Sequence, residues 1–305
     1  MIAHVAFGII VDDIVLPQGE THMGVLGGGG PQTAWGMAVA RTGPSVGIVA
    51  GIGHDLEAGI LAPLKAAHID LSGIRTSDLP TPRAWQVLEL NGRRTQVWRV
   101  PLPTLGQQLA RRWDVLPAAY RNARTAHWGI HPGDTGSFGF ARDLRAQGYI
   151  VSLEPFKPSD QPMDDAALNT MLTVCDIFSP NWHEASRIVG SEDYATVITR
   201  FKALGCRVLA LRRGADGADV WDFSTGSGVH VPAVAAQVVD VVGAGNAFCG
   251  AFVARFNEGI ATAACHASAA ASYMIEQVGM PPALPGAADY ARRLAEAEAG
   301  LTPLG

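Results

Sequence analysis

Short apolar runs alternate along the chain with longer helical stretches, and this alternation is typical of βαβ units built on a mostly parallel sheet. The runs that we interpret as buried strands are residues 4–10, 45–50, 125–128, 150–153, 177–179 and 207–211. The intervening helices are rich in small residues, and we predict them at residues 33–40, 58–67, 247–256, 260–277 and 287–297. The pattern therefore predicts an α/β fold in which helices pack closely on a central sheet.

One region departs from this rhythm. Residues 81–100 alternate between apolar and polar on either side of Asn91-Gly92, a pair that favours the type I′ turn of a β-hairpin. Together with residues 14–25, this hairpin predicts a small antiparallel sheet that stands off the main domain as a lid or a dimer surface. Trp85 and Trp98 lie on the hairpin; we interpret them as core or dimer packing, with contact to a substrate as the alternative.

Composition narrows the class of protein. Hydrophobic residues make up 48% of the 305 residues and charged residues 17%, so a large core is available and disorder is not expected. The net charge of −5 and the dispersed basic residues argue against a nucleic-acid surface. Asp12 and Asp13 interrupt the apolar N-terminus before a signal peptide or membrane span could form. We see no linker or repeat, and we expect a single domain over residues 1–305.

The four cysteines are far apart and form no CxxC pair: Cys175, Cys206, Cys249 and Cys265. We interpret them as small buried hydrophobic residues rather than as a metal site. Free thiols of this kind suit a reducing compartment, and we expect a cytoplasmic protein.

The strongest chemical signal lies in residues 238–256, where a β-branched run meets Gly243-Ala244-Gly245 and passes directly into an apolar helix. Glycines at a strand-to-helix turn leave backbone N–H groups unobstructed, and the helix N-terminus adds partial positive charge. The segment therefore predicts a site for phosphate or for the charge that develops during phosphoryl transfer.

This stretch resembles the DTxGAGD signature of the ribokinase-like (PfkB) carbohydrate kinases, with Asp240, Gly243, Ala244 and Gly245 in register. The resemblance implies a three-layer α/β/α fold with a small β lid, an anion hole made by the GAG amides, and a general base one residue later. That position holds Asn246, and a neutral amide cannot accept a proton near pH 7. General-base assistance is worth roughly 10²–10⁴-fold, so we expect a slow kinase.

Other segments resemble the substrate side of the same family. The run from Gly8 resembles the first strand, whose substrate-binding aspartate corresponds to Asp13. Residues 26–30 resemble the N-terminal glycine signature, which implies substrate contacts at Gly28 and Gly29. The family's asparagine in that signature corresponds to Ala34 here, and its polar neighbours are Gln32 and Thr33.

The remaining matches concern the metal and the nucleotide. Residues 180–184 match a PNxxE segment, which implies that Asn181 and Glu184 place Mg²⁺ through water. The nucleotide side is implied at Asp240, Gly214, Gly217 and His266. Arg212 replaces a threonine there and could hold phosphates or lie in solvent at a strand end.

Three further residues lie at predicted strand ends, where ligands of parallel sheets bind. His127 and His131 could face the cleft, although we favour a structural role for both. Glu154 could line the phosphate and metal site, and its role stays open.

Two hypotheses of function follow from these matches. The first is an ATP- and Mg²⁺-dependent kinase whose acceptor is a hydroxymethyl group of a sugar, a nucleoside or a related small alcohol. The second is a catalytically impaired pseudokinase that binds a nucleotide or a sugar as a sensor or interaction protein. The absence of GxGxxG and GxxxxGK[ST] disfavours dinucleotide enzymes and P-loop NTPases. Expected partners are these small molecules and a second copy of the chain through the lid, but neither nucleic acid nor a membrane.

Overall fold

The computed structural model describes residues 1–40, 45–90 and 94–305. Its strands are β1 (His4–Phe7), β2 (Ile10–Val15), β3 (Thr21–Gly27), β4 (Val46–Gly53), β5 (Asp70–Ser77), β6 (Arg83–Leu88), β7 (Arg94–Trp98), β8 (Thr125–Ile130), β9 (Ile150–Pro155), β10 (Ile177–Phe178), β11 (Val208–Arg212), β12 (Ala218–Asp222), β13 (Ser227–Val231) and β14 (Thr302–Leu304). Its helices are α1 (Gly30–Ala40), α2 (Ala62–Ala66), α3 (Leu102–Gln108), α4 (Phe138–Ala146), α5 (Asp165–Thr173), α6 (Trp182–Val189), α7 (Tyr194–Ala203), α8 (Ala244–Arg255), α9 (Ile260–Met274) and α10 (Ala287–Ala299).

The large sheet has the strand order β14-β13-β12-β11-β10-β9-β8-β1-β4-β5. The pairs from β5 to β11 are parallel, and the edge from β11 to β14 is antiparallel. Alternate residues of one strand face opposite layers: in β11, Val208 packs into one core and Leu209 into the other. Helices α1, α8 and α9 cover the first face, and α4 to α7 cover the second. The predicted three-layer α/β/α fold with a mostly parallel sheet is confirmed.

The first predicted strand is the main difference from the sequence pattern. The apolar run predicts one strand over residues 4–10, but β1 ends at Phe7 and Ile10 begins β2 in another sheet. Gly8 adopts a φ of +92°, which an L side chain rarely tolerates. The chain therefore turns at Gly8 out of the large sheet.

The small sheet, as we call it, has the order β3-β2-β6-β7 and includes both segments predicted as a lid. Its outer pairs are antiparallel, as predicted, and its central pair, β2 and β6, is parallel. Each half of the sheet is a separate hairpin, so no tight turn joins β2 to β6 and a parallel pair is possible. The predicted Asn91-Gly92 turn lies outside the described residues. Arg94 of β7 donates from Nη2 to the carbonyl of Phe156 at 2.7 Å, which ties the small sheet to the end of β9.

The four cysteines are buried free thiols, as expected. No helix in the described part of the chain combines the length and hydropathy that crossing a membrane requires.

Candidate active site

A cavity of about 710 Å³ lies at the carboxyl ends of β1, β8, β9 and β11 and is bordered by β7 of the small sheet. The predicted site residues that line it are Gly28, Gly29, Thr33, Asn181, Glu184, Arg212, Gly245 and Asn246. These residues are far apart in the sequence, and the parallel sheet brings them together because the carboxyl ends of its strands share one edge.

The first turn of α8 has the form of an anion cradle. Its N-cap, Gly243, has a φ of +86° and provides no side-chain cap. A Cβ at Gly243 would lie 2.6 Å from Cγ of Gln32, and a Cβ at Gly245 would lie 1.7 Å from Nη1 of Arg212. Because no side chain of the described residues caps the turn, the amides of Gly245 and Asn246, which line the cavity, and the helix dipole are available to an anion there.

Glu154 lies at the end of β9 beneath this turn and is 3% exposed. It accepts a hydrogen bond from Nδ2 of Asn246 and contacts Sγ of Cys249 at 3.5 Å. Nη2 of Arg212 lies 3.1 Å from its Oε2, and Nε2 of His127 lies 3.4 Å from its Oε1. Burial alone would raise the pKa of Glu154, but Arg212 and His127 together lower it to about 2. Glu154 is therefore an ionised acceptor at neutral pH.

His127, Glu154 and Cys249 together have the ligand types of a metal site. The Arg212 guanidinium already supplies a positive charge to this carboxylate. The group is therefore better described as a carboxylate held by protein donors.

Arg212 is a buried site residue rather than a solvated strand end. Its side chain is 14% exposed, its Nη2 donates to the carbonyl of Ser179 at 2.7 Å, and the same nitrogen lies 3.5 Å from Oε2 of Glu184. The interpretation that placed Arg212 in solvent is wrong. Its guanidinium instead supplies a fixed positive charge beside Gly245.

Asn181 and Glu184 form a capping box at the start of α6. Oδ1 of Asn181 accepts from the Glu184 amide, and Oε2 of Glu184 accepts from the Asn181 amide, both at 2.8 Å. Burial raises the pKa of Glu184. Both residues line the cavity, and Oε1 is the carboxylate oxygen of Glu184 that lies outside the capping box. This donor set fits Mg²⁺ held through water.

The two adjacent aspartates of β2 point to opposite faces of the small sheet. Asp13 accepts from the Gly24 amide at 2.8 Å and pairs with Arg99. It is 1% exposed and is not among the residues that line the cavity. Its role in substrate binding stays a prediction.

Asp12 is also 1% exposed, and it shares its face with the cavity-lining Ile10 because side chains alternate along a strand. It accepts from the Gly28 amide at 3.1 Å and from Nε2 of Gln86 at 2.9 Å. Burial raises the pKa of Asp12 to about 6. Gln32, predicted to contact substrate, instead accepts from the Gly29 amide at 3.0 Å.

Apart from Arg212, the residues predicted for the nucleotide side lie outside the described cavity lining. Asp240 accepts from the Val242 amide at 2.9 Å, while its buried Oδ2 has no hydrogen-bond partner among the described residues. Gly214 and Gly217 form the turn between β11 and β12. His266 bonds to Tyr290 at 2.7 Å. Their roles stay predictions.

Several cavity residues were missed by sequence reasoning, namely Arg94, Gln96, Arg111 and Lys157. They lie in a hairpin or just after regular elements, and no local motif distinguishes them from surface residues. Trp98 also lines the cavity, whereas Trp85 lies on the other face beneath the Arg99 guanidinium.

Several known kinases are similar to this chain in sequence or in structure. A cytidine kinase from Thermococcus kodakarensis is 24% identical over 85% of this chain and 88% of its own length. A ribokinase from Staphylococcus aureus is 26% identical, with 85% of each chain covered. The structure of aminoimidazole riboside kinase from Salmonella enterica, complexed with aminoimidazole riboside and an ATP analogue, superposes with a TM-score of 0.73. It is 19% identical and covers 96% of this chain and 99% of that one.

The sequence model of the pfkB family carbohydrate kinases matches residues 3–285. That match spans the large sheet from β1 to β13, the small sheet, and the α8 cradle beside Asn246. The chain therefore belongs to the pfkB family of carbohydrate kinases.

Proposed function

We propose that this protein transfers the γ-phosphoryl group of ATP to a hydroxyl of a sugar, nucleoside or related small alcohol. The observation that carries the proposal is the uncapped first turn of α8, which opens on the cavity with the Arg212 guanidinium beside it. Backbone donors and a fixed cation at one point stabilise the charge of a transferring phosphoryl group. Sugar and nucleoside kinases among the relatives support the same reaction class.

Asn246 orients the acceptor hydroxyl in this proposal. Its Nδ2 donates to Glu154, and a carboxylate at this pKa can only accept, so Oδ1 of Asn246 is the atom left to accept from the hydroxyl. The hydroxyl oxygen forms the new bond to phosphorus as the bond to ADP breaks, and the hydroxyl proton is released to water. Because phosphoryl transfer depends mostly on positioning and electrostatics, a neutral amide slows the reaction without abolishing it.

Glu154 does not act as the base in this scheme. With a pKa of about 2, its carboxylate is far too weak a base to remove a hydroxyl proton efficiently near pH 7. Its assigned role is to hold Asn246 and Arg212 in place.

Asn181 and Glu184 would hold Mg²⁺ beside the phosphates. When bound, the ion neutralises charge on the phosphate oxygens. The chain's own contributions are the α8 amides, Arg212 and the orienting pair of Asn246 and Glu154.

The test is acceptor-dependent release of ADP from ATP and Mg²⁺ across a panel of sugars, sugar derivatives and nucleosides, with an acceptor-free blank. Transfer of labelled γ-phosphate to the acceptor identifies the product. We expect slow turnover with at least one acceptor. Nucleotide binding without transfer to any acceptor would reject the kinase and favour the pseudokinase, which Asn246 at the base position also supports.

A further inference from the structure

The cavity carries three cations that the proposed phosphoryl site does not use. Arg94, Arg111 and Lys157 all line it, although the protein as a whole has a net charge of −5. The acidic residues of the same lining are Asp134, Glu154 and Glu184. Two of these, Glu154 and Glu184, contact Arg212. The outer part of the described lining is therefore cationic, which favours an anionic ligand.

In the part of the chain that the structure describes, Arg111 has fewer hydrogen-bond and ion-pair partners than Arg94 or Lys157. It follows α3 and is partly buried, and its buried Nε has no hydrogen-bond acceptor within the described ranges. Among the described residues, no carboxylate forms an ion pair with it; Asp134 acts on it only as a more distant charge. Asp134 instead accepts from the Gly136 amide at 2.9 Å. A guanidinium nitrogen that is buried without an acceptor is costly, so Arg111 in the cavity wall indicates an anionic ligand that accepts from it.

Arg94 and Lys157 both lie near the end of β9. Arg94 donates to the carbonyl of Phe156, the residue before Lys157. Lys157 has a partner at the rim, Asp160, at 3.5 Å. Asp134 follows β8, which pairs with β9, so the charge that acts on Arg111 comes from the neighbouring strand end.

The spacing suits one small molecule that reaches both parts of the cavity. Glu154, which holds Asn246, lies three residues before Lys157, and extended residues advance roughly 3.3 Å each. Lys157 therefore lies at most about 10 Å along the chain from Glu154, the residue that holds Asn246. A sugar with its acceptor hydroxyl at one end and a charged substituent at the other can contact both Asn246 and a cation of the same cavity lining.

We propose that the acceptor is an anionic sugar whose phosphate or carboxylate binds to Arg111, with Arg94 and Lys157 nearby. This inference rests on the proposed kinase function for the identity of the ligand as an acceptor. It narrows the acceptor from neutral sugars and nucleosides to sugar phosphates and sugar acids.

The experiment compares ligand binding without nucleotide, so that it does not depend on turnover. Pentose and hexose phosphates, sugar acids and their neutral parent sugars are titrated by calorimetry into the unmodified protein, R111Q, R111K and R142Q. Arg142 is an exposed arginine of α4 and serves as the control for loss of one positive charge. The separate phosphate and carboxylate arms decide which anion the site accepts.

We expect the unmodified protein and R142Q to bind an anionic sugar at least tenfold more tightly than its neutral parent, because the anion forms a charge-assisted hydrogen bond with Arg111. R111Q should lose this preference, and R111K should keep part of it. The melting temperature of ligand-free R111Q should be unchanged or higher, since the variant removes an unpaired buried charge. A lower melting temperature would indicate a structural role for Arg111 and overturn the proposal.

The two proposals fail in different ways. Turnover of neutral acceptors, with no preference for anionic sugars in binding, would leave the kinase standing and overturn the anionic subsite. Arg111-dependent binding of anionic sugars, with no ADP release from any acceptor, would reject the kinase and support the subsite. If R111Q weakened ATP binding tenfold and left sugar binding unchanged, Arg111 would belong to the nucleotide, and the proposal would be wrong.

Discussion

Asn246 and Glu154 form one unit in which each side chain determines what the other can do. Glu154 is buried and ionised, and it accepts from Asn246, Arg212 and His127. A carboxylate at position 246 would place a second negative charge against it, and two carboxylates in contact cannot both ionise easily. The amide at 246 is therefore the residue type that the neighbouring carboxylate requires.

This pairing predicts that N246D does not improve the enzyme. We expect N246D to lower kcat at pH 7.5 by tenfold or more. The double variant E154Q/N246D exchanges the two side chains and keeps one negative charge in the pair. The glutamine amide at position 154 can then donate to the aspartate at position 246, which stays ionised and can act as a general base. Because general-base assistance is worth roughly 10²–10⁴-fold, the double variant should exceed N246D in kcat by at least tenfold. Steady-state kinetics of both variants, with E154Q as the control, test this. A single N246D as fast as the double variant would contradict it.

The N-terminus of α8 depends on close approach between elements rather than on its own helix propensity. Gly243 turns the chain into the helix with a positive φ, and Gly245 lies against a guanidinium from β11. Alanine is the better helix former by about 1 kcal/mol. The packing of Arg212 outweighs that preference, because a methyl group at Gly245 would occupy the space of Nη1.

G245A is accordingly expected to reduce kcat by roughly tenfold to a hundredfold, less than the roughly 10²–10³-fold that removal of such a donor costs, because the variant displaces Arg212 without removing it. G139A is the matched control, since Gly139 lies in α4 with open space around its Cβ position. We expect G139A to keep full activity and to gain about 0.4–1 kcal/mol in the free energy of unfolding. Steady-state kinetics measures kcat, and urea unfolding measures the free energy of unfolding, for both variants. A fully active G245A would show that displacing Arg212 does not change kcat and would contradict the prediction.

The molecule as a whole joins two sheets through a short junction at Gly8 and Ile10, with the cavity between them. Asp12 lies just beyond this junction and links β2 to β6 and to the glycine turn before α1. Burial raises its pKa to about 6 in the folded protein, against about 3.9 for an exposed aspartate. The folded state therefore binds this proton more tightly, and the favourable contribution present at low pH is lost as pH rises through 6.

D12N should remove this dependence. At pH 8 we expect the variant to be more stable than the unmodified protein by up to about 3 kcal/mol, of which about 1.4 kcal/mol appears between pH 5 and pH 8. The Oδ1 of the introduced asparagine can still accept from Nε2 of Gln86, or the Gln86 amide can flip so that its Oε1, which has no partner among the described residues, accepts from the introduced amide. Urea unfolding at the two pH values is the measurement. An equal stability difference at pH 5 and pH 8 would show that Asp12 does not titrate in this range.

The sequence by itself determined the alternation of strands and helices, the mostly parallel sheet, the glycine turn that begins α8, and the family. These features follow from local patterns: apolar periodicity, glycines at a turn, and short motifs such as residues 180–184. They were readable because each depends on residues close together along the chain. Helices α3 to α7 and strands β5 and β12 to β14 were not among the predicted elements. The single strand expected at residues 4–10 failed because apolar periodicity does not reveal a left-handed residue such as Gly8.

Only the tertiary structure decided what surrounds the cradle. The contacts of Glu154 with Asn246 and Arg212 join residues 92 and 58 positions apart in the chain. No local pattern encodes such contacts. The same holds for Arg111, whose unpaired state depends on which carboxylates fold near it. It holds too for Asp12, whose pKa follows from burial between two sheets. Local signals specify backbone shape, whereas charge balance, burial and pairing are properties of the folded chain.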